Sequence, residues 1–184
     1  MIIIGITGTL GAGKGTIVDY LVNEKEFTHY SVRGFLIEEI KRRKMEINRD
    51  SMTSVANELR AANSPSYVID QLYNQAVEKG NNCIIESIRT EGEITSLRKK
   101  KNFYLLAIDA KSKIRFDRIK LRKSETDHIS YETFLQNEKR EFDSADPNKQ
   151  NLKRCIELAD FVLTNNGDIT QLYGQVDQIM LNIL

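Results

Sequence analysis

Nine residues near the amino terminus, Gly8-Thr9-Leu10-Gly11-Ala12-Gly13-Lys14-Gly15-Thr16, combine four glycines with one lysine and two threonine hydroxyls. A backbone that curls around a polyphosphate must come close to it and turn several N–H groups inward, which glycines permit. Gly8, Gly11, Ala12, Gly13 and Gly15 are the candidates for that cradle. Lys14 can reach the β- and γ-phosphates of ATP, and Thr16 can help to hold Mg²⁺. The stretch follows an apolar segment and opens a helical pattern, so the positive end of a helix dipole would face the same anion.

Phosphoryl transfer is mostly positioning and charge stabilisation, so further cations are needed. Seven basic residues and one acid, Asp117, fall between Lys111 and Lys123. Arg115, Arg118 and Arg122 are spaced by three and four, which places them on one helix face. Arginine suits phosphate because its planar fork donates in pairs. Lys111, Lys113 and Lys120 read as a solvated face. Glu86 ends an apolar run, where a carboxylate can hold Mg²⁺ through water. His29 and His128 have no nucleophile or metal-ligand spacing nearby and read as non-catalytic.

These residues need elements to bring them together. Met1–Thr7 is a continuous apolar, β-branched run, as expected of a strand buried on both faces of a parallel sheet. Thr28–Val32, Cys83–Glu86, Phe103–Asp109 and Phe161–Thr164 read as four more strands. Helical patterns lie between them: after the glycine-rich loop, over Leu36–Met45, and from Ser64-Pro65 to Gly80, with Pro at the first helical position and Gly as the stop. The last helix has Asp168 as N-cap and buries Leu172, Val176, Ile179, Met180 and Ile183 on one face. Strands alternating with helices imply βαβ units and an α/β layer fold. Ligands then bind beyond the carboxyl ends of the strands. The glycine-rich loop, Ser31–Arg33, Glu86–Arg89, Asp109 and Asn165–Gly167 all fall on that rim.

Gly-Lys-Gly-Thr, with Thr16 one place after the usual position, resembles the nucleoside monophosphate kinases, adenylate kinase above all. Ile84-Ile85-Glu86-Ser87-Ile88-Arg89-Thr90 is similar to that family's third-strand motif, with Glu86 where the family has Asp. Asp117-Arg118-Ile119 followed by Arg122-Lys123 resembles the segment entering the mobile lid. The ending, Ala159-Asp160-Phe161-Val162 through Asn165-Asn166-Gly167, resembles dephospho-CoA kinases and small archaeal adenylate-kinase-related proteins. The resemblance spans residues 3 to about 172, nearly the whole chain of 184.

The resemblance implies a single P-loop NTPase kinase domain over residues 1–184. Its five-stranded parallel sheet would be flanked by helices, with an acceptor-binding insert near 31–80 and a lid near 122–150. It implies ATP and Mg²⁺ as cofactors and a nucleoside or deoxynucleoside monophosphate as acceptor. Lys14, Arg89, Arg118 and Arg122 are then the catalytic cations, with Arg118 and Asn166 also on the nucleotide. Arg89 grips the acceptor phosphate, and Thr16 and Glu86 serve the metal. The family's first acceptor arginine has no counterpart in Val32-Arg33-Gly34-Phe35, where Arg33 is the candidate replacement. In the family a glutamine four residues after the phosphate-gripping arginine reads adenine. That place holds Glu93, whose carboxylate would suit the donor edges of guanine or cytosine. Thr90 and Glu93 also have the spacing of a capping box, which makes Glu93 a helix cap instead. The segment Ser124–His128 is expected to close over ATP, carrying Arg122 inward and excluding water.

Two other functions fit the same loop. A dephospho-CoA or other hydroxyl kinase needs a carboxylate base, and Ser31 to Ile37 contains none, although Glu38 and Glu86 are near. A non-catalytic nucleotide-binding regulator has no need of arginines at the transfer site. Composition narrows the partners. Lys+Arg is 27 and Asp+Glu is 26, a net charge of +1, which disfavours a globally basic nucleic-acid binder. The apolar runs are too short to span a membrane, and no secretory leader is recognisable at Met1. Two cysteines, Cys83 and Cys155, form no CxxC pair, so a reducing cytoplasm is expected.

Overall fold

The computed structural model describes residues 1–122 and 129–184. Lys123 and the segment Ser124–His128, to which closure over ATP was assigned, lie outside the described residues. Five strands form one all-parallel sheet: β1 (Ile3–Gly8), β2 (Thr28–Ser31), β3 (Cys83–Glu86), β4 (Phe103–Asp109) and β5 (Phe161–Thr164), in the order β2-β3-β1-β4-β5. The chain moves to one side of β1 for β2 and β3, then to the other for β4 and β5. The crevice beyond the ends of β1, β3 and β4 is therefore the switch point where ligands bind in such sheets.

Helix α1 (Lys14–Lys25) and the last helix α9 (Ile169–Ile183) cover one face of the sheet. There Ile4, Ile6, Ile84, Leu106 and Ile108 pack with Ile17, Leu21, Leu172 and Val176. The other face is covered by α2 (Val32–Arg42), α3 (Arg49–Ala62), α4 (Tyr67–Lys79), α5 (Glu91–Arg98) and α8 (Leu152–Glu157). Ile3, Cys83, Ile85 and Leu105 face that side, as the period of two requires. Cys83 and Cys155 are both free and buried. Between α6 (Ser112–Arg122) and α7 (Tyr131–Phe142) a small satellite core joins Leu10, Phe116, Ile119 and Phe134. No helix among the described residues is long and apolar enough to cross a membrane.

Two helices begin away from their expected places. Helix α2 starts at the end of β2, because the Ser31 hydroxyl accepts from Gly34 N (3.1 Å) and caps it there. It ends at Arg42, where Lys44 turns left-handed (φ 56°) and Met45 N–H closes on the Ile40 carbonyl (3.1 Å). Helix α4 starts at Tyr67, not at Pro65: Tyr67 N donates to Ser64 O (3.1 Å) in a turn that contains Pro65. Its stop at Gly80 is as expected (φ 72°). Helix α3 is an addition, opened by a capping box in which Asn48 and Ser51 exchange side-chain and backbone bonds.

Candidate functional site

A cavity of about 730 Å³ opens along the carboxyl ends of the strands. The loop between β1 and α1 forms its floor. Gly13, the residue before α1, is left-handed (φ 104°), and a Cβ there would lie 2.3 Å from the Asn165 amide nitrogen. Gly11 is left-handed too (φ 78°), and its Cβ would meet the Arg115 carbonyl at 2.5 Å. Any other L-residue would be strained at both places, and at Gly11 its Cβ would also collide with backbone. Gly15 differs, with open space where a Cβ would stand. It lines the cavity with Gly11, Gly13, Lys14 and Thr16. Gly8 and Ala12 lie behind the lining, where the Gly8 carbonyl accepts from Lys14 and the Ala12 carbonyl from Asn165.

Lys14 is the first residue of α1, and its ammonium bridges the Gly8 and Thr9 carbonyls at 3.0 and 2.9 Å. Burial and then the nearby Arg89 charge lower its pKa from 10.5 to about 7, against the opposing charges of Glu86 and Glu141. An anion in the cavity would restore its charge. Glu86, at the end of β3, faces His29 across 3.6 Å. Burial raises its carboxyl, but the His29 hydrogen bond and the Lys14, His29 and Arg89 charges outweigh this and leave it below the usual range. It is therefore ionised in the cavity that Thr16 also lines. One carboxylate and one hydroxyl beside a polyphosphate fit Mg²⁺, which takes few protein ligands and keeps its waters and phosphate oxygens. Among the described residues no cluster of three or more acidic, His or Cys side chains forms a self-sufficient metal cage.

The three arginines of α6 do not share one role. Arg115 is buried and braces the loop: Nε donates to Ala110 O (2.6 Å), Nη1 to Leu10 O (3.2 Å), and it pairs with Glu138. Arg118 and Arg122 line the cavity. Arg118 donates from Nη1 to Asn165 O (2.9 Å) and from Nη2 to Asn165 Oδ1 (3.3 Å). Asn165 in turn donates from Nδ2 to Ala12 O (2.8 Å). Asn166, expected at the nucleotide, is one residue too far along. It is exposed, its Oδ1 accepts from Lys111 N (2.8 Å), and the cavity lining takes in Asn165 and Gly167 in its place.

Glu93 does not face the cavity. It is fully buried, and its two oxygens meet four donors: Arg60 Nε and Nη2 on Oε1 (3.1 and 2.9 Å), Arg89 N and Thr90 N on Oε2 (2.7 and 3.0 Å). With its acceptors taken, no oxygen is left to read a base. The capping box over Thr90 and Glu93 is complete, and a buried ion pair with α3 is added to it. The other acceptor candidates do reach the cavity. Arg33, in the first turn of α2, lies against the Met52 sulfur (3.4 Å), and Arg89 donates to Glu141 Oε2 (2.7 Å). Arg49, Glu141, Gln150 and Asn165 also line it and were not singled out from the sequence. Asn165 stood within a strand-end stretch already on the ligand rim. Arg49 and Glu141 carry no local motif.

The all-parallel sheet, the glycine loop before α1 and the cation-lined crevice define a P-loop domain of kinase-like fold. The profile of the AAA domain family matches residues 4–144, and the chain belongs to that family. The UPF0200 protein MJ1399 of Methanocaldococcus jannaschii is 29% identical over 192 residues, covering 100% of this chain and 91% of that protein. A UPF0200 protein of Methanococcus maripaludis strain C7 is 28% identical over 188 residues, covering 100% and 98%. Among solved structures, TT1252 from Thermus thermophilus superposes with a TM-score of 0.64 at 16% identity, covering 100% of this chain and 98% of that one. Shikimate kinase from Bacteroides thetaiotaomicron gives 0.55 at 14% identity, covering 98% and 97%.

Proposed function

We propose that this protein transfers the γ-phosphoryl group of ATP to a nucleoside or deoxynucleoside monophosphate, with Mg²⁺. The observation that carries the reading is the distribution of cations in one cavity. Lys14, Arg118 and Arg122 lie toward the phosphate loop, while Arg33, Arg49 and Arg89 lie toward α2, α3 and the end of β3. Between the latter, Val32, Leu36, Met52 and Ala56 supply an apolar wall. A phosphorylated acceptor with a flat base needs that combination: cations for the phosphate and apolar contact for the ring.

An acceptor phosphate is already an anionic nucleophile. It needs cations to bring it in line with the γ-phosphoryl group, and no general base. Lys14 offsets charge that develops on the transferring group, and Arg118 and Arg122 share it. Thr16 and Glu86 would hold Mg²⁺, which would supply positive charge against that of the phosphates. In this reading residues 31–80 form the acceptor-binding insert and 122–150 the lid. The nucleotides are the small-molecule partners.

A second reading, transfer to a hydroxyl, is favoured by one observation. Glu86 and Glu141 both line the cavity, and a hydroxyl acceptor needs a carboxylate within reach to take its proton. Neighbours of the same fold include proteins described as a sugar kinase and a gluconokinase. A coupled ADP-release assay with AMP, GMP, CMP, UMP, their deoxy forms and dephospho-CoA separates the two. Turnover with a monophosphate supports the first reading. Turnover with dephospho-CoA alone supports the second.

A further inference from the structure

Glu141 is a buried carboxylate that joins three distant parts of the chain. It stands in the last turn of α7, and each of its oxygens takes a different arginine. Oε1 accepts from Arg49 Nη1 (2.9 Å), at the start of α3, and Oε2 from Arg89 Nη1 (2.7 Å), in the segment between β3 and α5. Gln150 Oε1 approaches the same Arg89 nitrogen at 3.4 Å. All four side chains line the cavity.

We propose that Glu141 is a positioning residue for phosphoryl transfer: held by Arg49 on one oxygen and engaging Nη1 of Arg89 with the other, it aims the Arg89 guanidinium at the acceptor's phosphate. The inference rests on the monophosphate reading above. Arg89 uses only Nη1 for Glu141 and Gln150. Its Nε and Nη2 make no hydrogen bond among the described residues, and neither is sealed from solvent. A guanidinium fixed at one corner presents its other donors in a set plane, the geometry a phosphate takes up in pairs.

The placement of Glu141 on its helix points the same way. A carboxylate in a last helical turn faces the negative end of the dipole, which disfavours it. Its neighbours Lys139 and Arg140 follow the usual rule. Glu141 breaks it and is buried besides, so its arginine partners must offset both costs. A local rule broken at a cavity wall is the expected mark of a functional position. The adjacent pair Arg140–Asp50 (2.8 Å) is exposed and joins the same two helix ends. Glu141 thus links the wall of the acceptor insert to the segment read as the lid.

The test is Glu141→Gln, which keeps the size and one acceptor oxygen but removes the charge. Binding of the best monophosphate among AMP, GMP, CMP and UMP, and of a non-hydrolysable ATP analogue, is measured by calorimetry alongside steady-state kinetics. The expected result is a rise in acceptor Kd and KM of roughly 10- to 100-fold, the scale of a small misalignment at a reacting centre. The affinity for the ATP analogue falls much less, by no more than a few-fold, because Glu141 makes no hydrogen bond to the phosphate loop and reaches Lys14 only through its charge. If Glu141→Gln does not fold, Arg49→Lys replaces it. That change keeps the charge but loses the planar fork, and the same split between acceptor and ATP is expected. Acceptor binding that is unchanged or tighter in the variant would show Glu141 to be a plug or a bystander, and overturns the inference. Equal losses for both ligands would make it a structural brace, and overturn it too. If wild type binds ATP but no monophosphate, the proposed function falls and takes this inference with it. Normal wild-type binding with no split in the variant overturns the inference alone.

Discussion

Arg118 and Asn165 are joined twice, through Nη1 to the Asn165 backbone oxygen and through Nη2 to its side-chain oxygen, while the Asn165 amide donates into the phosphate loop at Ala12. One residue at the end of β5 therefore ties the arginine helix to the loop that would carry the nucleotide. Asn165→Ala should leave the Ala12 carbonyl without its partner, at a cost of about 1–3 kcal/mol in stability. ATP affinity should fall about tenfold, the equivalent of one net hydrogen bond lost from the loop. Thermal unfolding and titration with ATP check both. Retained affinity would mean that the loop holds its shape without the brace.

Lys14 should couple nucleotide binding to proton uptake. Its pKa falls from 10.5 to about 7 in the folded, empty site, first through burial and then through Arg89. Between those two values the unfolded chain binds more protons than the folded one, so the Lys14 contribution to stability rises with pH across that window and is smallest below it. A bound polyphosphate restores the charge. Above about pH 7, calorimetry of ATP binding in buffers of different ionisation enthalpy should thus show net proton uptake. Lys14→Met should abolish the uptake and flatten the stability profile over the same window. Uptake that persists in Lys14→Met would assign it to another group.

The ends of three strands were plain in the sequence, whereas β1 runs one residue further than expected, to Gly8, and β2 stops at Ser31 because Val32 already opens α2. Cys83–Glu86, Phe103–Asp109 and Phe161–Thr164 are strands with those boundaries, because an apolar run that stops at a polar residue marks where a buried strand leaves the sheet. The phosphate loop was plain for the same local reason: glycine spacing is read within a few residues. What sequence could not supply was pairing at a distance. Arg115 lies on the same spacing as Arg118 and Arg122, yet it is a buried brace, since only the fold places Ala110 O, Leu10 O and Glu138 around it. Arg49 and Glu141 are 92 residues apart, and nothing local marks either. Asn166 was expected at the nucleotide, yet it is Asn165 that lines the cavity while Asn166 is exposed, because a one-residue step at a strand end reverses which side chain points inward. Glu93 met two local rules at once, and burial decided for the cap.

Glu93→Gln tests that decision. The change weakens a pair whose side chains are 0% and 1% exposed and leaves the Arg60 charge without its counterpart. Breaking one partner of a buried pair costs about 3–5 kcal/mol, so the thermal midpoint should drop by many degrees. The ranking of AMP, GMP, CMP and UMP as acceptors should stay as in wild type. A changed ranking without loss of stability would return Glu93 to base recognition.

The central claim is that the cavity moves a phosphoryl group from ATP to a monophosphate. Phosphorus NMR of the wild-type protein with ATP, Mg²⁺ and each of AMP, GMP, CMP and UMP follows the substrate and product phosphorus atoms together. The account predicts that ADP and one nucleoside diphosphate appear in equal amounts, and that Lys14→Met, still folded, is slower by at least about 100-fold through loss of charge stabilisation at the transfer step. Release of inorganic phosphate with no diphosphate from any acceptor, or product formed equally fast by Lys14→Met, would contradict it.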